Sequence, residues 1–139
     1  MNSLFFGRAV VVGFFHTLAV LLFSMFFVRY VSDVVFSILP LSIVKLTFES
    51  NDLFYTMVGL TSRVLIEIVF SILTTLFFLL KIKERVLLNC FILALTVFVY
   101  RVIFGDFMHS WYMFTLGCAL CSGMVILAIG LIRHKKYNN

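Results

Sequence analysis

The sequence predicts an all-α integral membrane protein with four transmembrane helices. Two observations concern composition: 63% of the 139 residues are hydrophobic, and only 12% are charged. A soluble domain carries about 25% charged residues, so this chain has too few to cover a surface that faces water. The third observation is that the apolar residues form four runs of the length that a spanning helix needs, about 20 residues.

The four predicted spans are residues 9–28, 57–80, 86–104 and 111–132. Each must be helical, because a segment in hydrocarbon has to satisfy its own backbone polar groups. The first apolar run is longer than the h-region of a signal peptide, which has about 7–15 residues, and no small-x-small cleavage site follows it. We therefore expect a retained first span and one membrane domain over residues 1–139.

The basic residues predict the orientation in the membrane. With both termini in the cytoplasm, seven basic residues lie on the inner side and four on the outer side, as the positive-inside rule favours. The inner set is Arg8, Lys81, Lys83, Arg85, Arg133, Lys135 and Lys136, and the outer set is Arg29, Lys45, Arg63 and Arg101. We expect an N-in, C-in protein of the bacterial inner (plasma) membrane.

The first outer loop contains an apolar segment, "VVFSILPLSIVKL", over residues 34–46. It is too short to span the membrane and has Pro40 in its middle, which is typical of an interfacial or re-entrant segment. Asp33 and Lys45 draw its two ends toward water and favour a segment that lies on the outer leaflet. A half-inserted segment is the alternative.

Three charged residues, Arg63, Glu67 and Arg101, lie inside the predicted spans. Measured from the inner ends of their spans toward the outer side, these residues lie at heights of about 26, 20 and 22 Å. All three therefore lie in the outer third of a hydrocarbon core of about 30 Å. The short "KIKER" turn predicts that spans two and three pack side by side, and "GDFMHS" predicts the same for spans three and four. We therefore expect an intramembrane polar cluster, with Arg63 and Glu67 one turn apart and Arg101 at the level of Glu67.

Three functions of this cluster are compatible with the sequence. It could hold the helices together, it could bind a proton or cation at Glu67, or it could form a surface that recognises a molecule in the outer leaflet. Transporters of the alternating-access type need helices broken by glycine or proline around a midplane site. The single proline of this chain, Pro40, lies outside the predicted spans, which favours recognition over transport. His16, inside span one, either hydrogen-bonds a neighbouring helix or lines a pathway.

Span four carries small residues and a C-x-x-C motif. Gly117 with Cys121, and Ala119 with Gly123, are spaced at i,i+4 and predict a face for close helix contact. Cys118 and Cys121 lie mid-helix, which favours packing over redox chemistry, since a reactive thiol needs an accessible site. No catalytic, metal or cofactor motif occurs, so we expect no enzyme, no metal and no cofactor.

In length, span number, basic ends and outer charged residues, the chain resembles the immunity proteins of pore-forming bacteriocins. The likeness is one of topology and includes no motif. It implies a function in binding another membrane-embedded or membrane-inserting protein, as an accessory subunit or an immunity-like inhibitor. One alternative is a small oligomeric channel or transporter subunit that uses Glu67 and His16. Another is a membrane thiol-redox protein that uses Cys118 and Cys121.

The expected partners are membrane lipids and a second membrane protein or a second copy of the chain. Nucleic acid is not expected, because the basic residues are dispersed among apolar runs instead of forming one basic face.

Overall fold

The computed structural model describes residues 3–38, 51–80, 82, 84–104 and 112–138. These ranges contain four α-helices, which we name α1 (Ser3–Ile38), α2 (Asn51–Leu79), α3 (Val86–Phe104) and α4 (Tyr112–Asn138). Each of them includes a segment long and apolar enough to cross a membrane. The predicted all-α class with four candidate spans is therefore confirmed.

The candidate spans are Phe6–Val31, Thr56–Leu79, Val86–Phe104 and Met113–Lys136. The third has the predicted bounds, whereas α1 continues well beyond residue 28, the predicted end of the first span. Helix α1 has 36 residues, about 54 Å, and no proline interrupts it before Ile38. Residues 34–38 are thus the end of α1, and residues 39–46 of the predicted interfacial or re-entrant segment lie outside the described residues.

The helices pack in a ring with the order α1, α2, α4, α3. Helix α1 contacts α2 and α3, and α4 contacts the same two helices. Helices α1 and α2 are antiparallel, because Arg8 lies near Phe78 while Phe23 lies near Phe70. The predicted packing of spans three and four is confirmed. The predicted side-by-side packing of spans two and three is wrong, since α2 and α3 lie diagonally across the bundle.

The turn between α2 and α3 makes this diagonal connection possible. Its Ile82 is buried in the bundle core, and the Ile82 N–H donates to the carbonyl of Leu79 at 3.2 Å. Arg85 then adopts a left-handed conformation with φ 49°. The side-chain amide of Asn89 donates to the carbonyls of Glu84 and Arg85 at 3.2 and 3.1 Å. The turn is thus held against the end of the bundle, where it crosses from one corner to the opposite one.

One end of the bundle carries Arg8, Arg85 and Arg133, and we call it the basic end. The core there is a close-packed apolar layer, which we call the apolar plug. Its largest members are no more than 2% exposed, and they are Phe78, Leu79, Ile82, Leu93 and Ile126. The guanidinium of Arg8 covers this layer, 5.7 Å from the ring centroid of Phe78.

Two glycines allow the helices to approach closely. A Cβ atom added at Gly13 would lie 2.8 Å from Cγ2 of Thr96, and one at Gly130 would lie 2.8 Å from Sγ of Cys90. Both contacts involve α3, which therefore packs tightly against α1 and α4. Helix association in lipid depends on van der Waals packing and not on the hydrophobic effect, so these contacts contribute directly to the fold.

We expect Gly130→Val to lower the free energy of unfolding by about 1–3 kcal/mol, because the added side chain overlaps Cys90. Thermal unfolding in mild detergent measures this. The control is Gly117→Val on the same helix, where an added Cβ meets no atom within 4 Å. An equal loss of stability in both variants would contradict the close α3–α4 contact.

Candidate functional site

A buried ion pair between α2 and α3 lies on the axis of the bundle, near the end of α3. Nη2 of Arg101 contacts Oε1 of Glu67, and the two side chains are 7% and 1% exposed. The long arginine side chain reaches across the bundle axis, so the pair forms although its helices lie on opposite corners. A charge within a membrane needs such a partner, because a lone one costs about 3 kcal/mol at the centre of a spanning helix.

Three buried atoms of the pair have no hydrogen-bond partner among the described residues, namely Oε1 and Oε2 of Glu67 and Nε of Arg101. Of these, Oε1 contacts Nη2 of Arg101 in the ion pair, whereas Oε2 and Nε have no partner. The pair therefore keeps the capacity to accept one further hydrogen bond and to donate another.

Arg63, the third residue of the predicted cluster, is not part of this pair. Its side chain is exposed, and its charge lies close enough to interact with that of Arg101. The repulsion between these two cations disfavours a common position beside Glu67. The structure thus brings together two of the three predicted residues and leaves Arg63 at the surface of α2.

A second polar group, which we call the serine–histidine cluster, consists of His16, Ser71, Thr74 and Ser122. Nδ1 of His16 is hydrogen-bonded to Oγ1 of Thr74 at 3.0 Å, and its Nε2 to Oγ of Ser122 at 3.2 Å. A further hydrogen bond joins the hydroxyls of Ser122 and Ser71. A neutral imidazole has one donor and one acceptor nitrogen, so two hydroxyl partners satisfy it. The cluster links α1, α2 and α4.

The two groups form one polar row along the bundle axis. On α2, Glu67, Ser71 and Thr74 are spaced at i, i+4 and i+7, which places them on one helix face. Sequence reasoning identified His16 but missed its hydroxyl partners, although this spacing on α2 was a signal for them. Polar side chains collect on the axis because lipid offers them no hydrogen bonds.

The predicted contact face of span four is divided between the interior and the surface. Ala119 is buried, and a Cβ atom at Gly123 would lie 3.9 Å from Cβ of Ala94 on α3. Gly117 is exposed, and Cys121 is half-buried. One pair is therefore used inside the bundle, and the Gly117–Cys121 pair remains at the surface.

The two cysteines of the C-x-x-C motif lie in different surroundings. Cys118 is buried and interacts electrostatically with Arg101, whereas Cys121 is half-buried at the surface of α4. Among the described residues, no group of three His, Cys, Asp or Glu side chains is placed to hold a metal ion.

A groove between α1 and α2 is a feature that sequence reasoning missed. Its volume is about 660 Å³, and its lining is Ala19, Leu22, Phe23, Phe26, Phe27, Tyr30 and Phe70. The signal in the sequence was the spacing of Phe23, Phe26, Phe27 and Tyr30 at i, i+3, i+4 and i+7, which marks one aromatic helix face. The groove opens on the outside of the bundle, away from the polar row.

Comparison of the chain with protein-family models, curated proteins and solved structures finds no match. The polar row, the surface of α4 and the groove are therefore interpreted by their own chemistry.

We expect Glu67→Leu or Arg101→Leu alone to lower the free energy of unfolding by about 3–5 kcal/mol, because each leaves the other charge buried without a partner. The double variant should recover most of this loss, since it removes both charges. A double-mutant cycle of unfolding in detergent measures the coupling. Additive losses would mean that the two charges do not stabilise each other.

We expect Ser122→Ala to lower the free energy of unfolding by about 1 kcal/mol, because Ser122 bonds to both His16 and Ser71. The control is Ser24→Ala, whose hydroxyl donates only to the carbonyl of Leu21 within its own helix, at 2.9 Å. The same unfolding measurement compares the two. If Ser24→Ala costs as much, the link between helices contributes nothing of its own.

Proposed function

We propose that this chain is a non-enzymatic membrane protein that acts by binding another membrane-embedded or membrane-inserting protein, as an accessory subunit or an immunity-like inhibitor. The observation that carries the proposal is the closed interior of the bundle. The charged and polar side chains of the axis pair with one another, and the apolar plug follows them toward the basic end. Binding is then a property of the outer surfaces.

The closed interior disfavours a pathway through the single bundle. A channel needs a polar or wettable lining along its whole length. Here Phe78, Leu93 and Ile126 have no exposed surface, and they fill the axis between the serine–histidine cluster and the basic end. Alternating access also requires discontinuous helices, whereas α1 and α2 each run unbroken through their candidate spans.

The thiol-redox alternative also has little support from the geometry. An exchange reaction needs an accessible sulfur atom. Cys118 is only 4% exposed, and it lies within the packed bundle.

The surface that best fits a partner helix is the outer face of α4 around Gly117 and Cys121. A Cβ atom at Gly117 would meet nothing within 4 Å, so the helix backbone is open there. Leu120 and Met124 beside it are exposed and offer apolar contact area. Small residues flanked by larger ones allow two helix backbones to approach closely in lipid.

We further propose that the basic end faces the cytoplasm of a bacterium, with both termini inside. The concentration of basic residues at that end supports this orientation. The Glu67–Arg101 pair would then lie in the outer half of the membrane.

The test is crosslinking in native membranes with a photoreactive amino acid in place of Leu120. We expect one protein adduct of discrete mass from this position and none from Phe91, an equally exposed position on α3. Adding Gly117→Leu should remove the adduct, because the bulk blocks close approach. Adding Gly7→Leu should leave it, since Gly7 is equally open but lies at the basic end of α1.

Two outcomes would contradict the proposal. One is that position 120 gives no protein adduct, or the same adducts as position 91. The other is proton or cation flux through liposomes that contain the purified protein, if Glu67→Gln stops it. An adduct of twice the mass of the chain would identify a second copy as the partner and favour the oligomeric channel that uses Glu67 and His16.

A further inference from the structure

The groove between α1 and α2 has an apolar lining and a defined floor. The rings of Phe23 and Phe70 lie 5.3 Å apart and join the two helices. Phe27 stacks on Phe23, also at 5.3 Å. Apart from the hydroxyl of Tyr30, every side chain of the lining is apolar.

The length of the groove matches one leaflet of a bilayer. From Ala19 to Tyr30 it follows eleven residues of α1, about 16 Å, which is half of a hydrocarbon core of about 30 Å. Ala19 lies at the centre of the candidate span Phe6–Val31, and Tyr30 lies near its end. A spanning helix of a partner would contact the bundle through both leaflets, whereas an acyl chain ends at the midplane. The dimensions therefore favour an acyl chain.

Helix spacing places a tyrosine and an arginine toward the same end of the groove. Tyr30 follows Phe23 by seven residues, and Arg63 precedes Phe70 by seven. Because α1 and α2 are antiparallel, Tyr30 and Arg63 both lie two turns, about 10 Å, from the Phe23–Phe70 contact and toward the same end of the groove. Seven residues also return a side chain to nearly the same helix face, so Arg63 lies on the side of α2 that carries Phe70.

The charge of Arg63 is not compensated by the described residues. Arg63 is exposed and forms no ion pair with them, while the carboxylate of Glu67 is already paired with Arg101. Arginine at this depth extends its long side chain toward the lipid headgroups. A guanidinium and a phenol hydroxyl are both hydrogen-bond donors to phosphate oxygen.

We propose that the groove binds one acyl chain of an anionic phospholipid, and that Arg63 and Tyr30 hold the phosphate of its headgroup. The lipid belongs to the leaflet opposite the basic end. This site is independent of the proposed partner surface, because the outer face of α4 lies diagonally across the bundle from α1. A bound lipid would cover aromatic side chains that the bundle itself leaves exposed, such as Phe26, which is 76% exposed.

The test uses the purified full chain in mild detergent and phosphatidylglycerol with a diazirine at the end of one acyl chain. After photolysis, we expect adducts on peptides that contain Ala19, Phe23 or Phe70, which line the deeper half of the groove. Unlabelled phosphatidylglycerol should compete about fivefold better than phosphatidylcholine with the same chains, as one basic residue near the headgroup provides. Arg63→Gln should abolish this difference. Arg8→Gln, at the basic end, should leave it unchanged.

A second variant tests the apolar part of the site. Ala19→Trp fills the deep end of the groove and should remove the labelling, while Leu120→Trp on α4 should retain it. Because Arg63 is exposed, we expect Arg63→Gln to fold. The competition experiment with that variant therefore tests the proposal even if Ala19→Trp does not fold. The proposal is overturned if the labelling spreads evenly over the exposed faces of all four helices, or if phosphatidylcholine competes equally well. Labelling that survives in a folded Ala19→Trp variant would overturn it as well.

Discussion

The ion pair between Glu67 and Arg101 is the interaction on which the arrangement of the helices depends. A bilayer offers neither side chain a partner, so each charge is stable only inside the bundle. Because the pair crosses the axis, it holds α2 and α3 at opposite corners and leaves α1 and α4 at the other two. The turn with buried Ile82 and left-handed Arg85 allows consecutive helices to take these diagonal positions.

The polarity of the core decreases along the axis, from the ion pair to the basic end. One turn from the ion pair, the serine–histidine cluster satisfies polar groups of three helices, and beyond it the apolar plug closes the bundle at the basic end. The polar side chains of the axis contact one another, and the apolar plug separates them from the basic end. The recognition properties of the bundle therefore reside on its outer faces, where the α4 surface and the α1–α2 groove lie on opposite sides.

Sequence reasoning predicted the candidate site only in part. The depths of Glu67 and Arg101 follow from counting residues, because a helix has a fixed rise, and those depths place the two charges at one level. Counting cannot give the rotation of each helix about its own axis, and this rotation decides which faces of the spans are buried. It also divides span four, since Ala119 packs inside and Gly117 remains outside.

The class of the protein and the number of candidate spans follow from the amino-acid sequence alone, because hydrocarbon restricts a single apolar segment to a helix. The sequence also shows which charged residues lie within the spans. Which helices are neighbours is visible only in the folded bundle, because helix pairing depends on local fit. Helix α3 approaches α1 and α4 at Gly13 and Gly130, where no side chain intervenes. Such contacts lie far apart in the sequence and leave no periodic pattern, so only the folded chain reveals them.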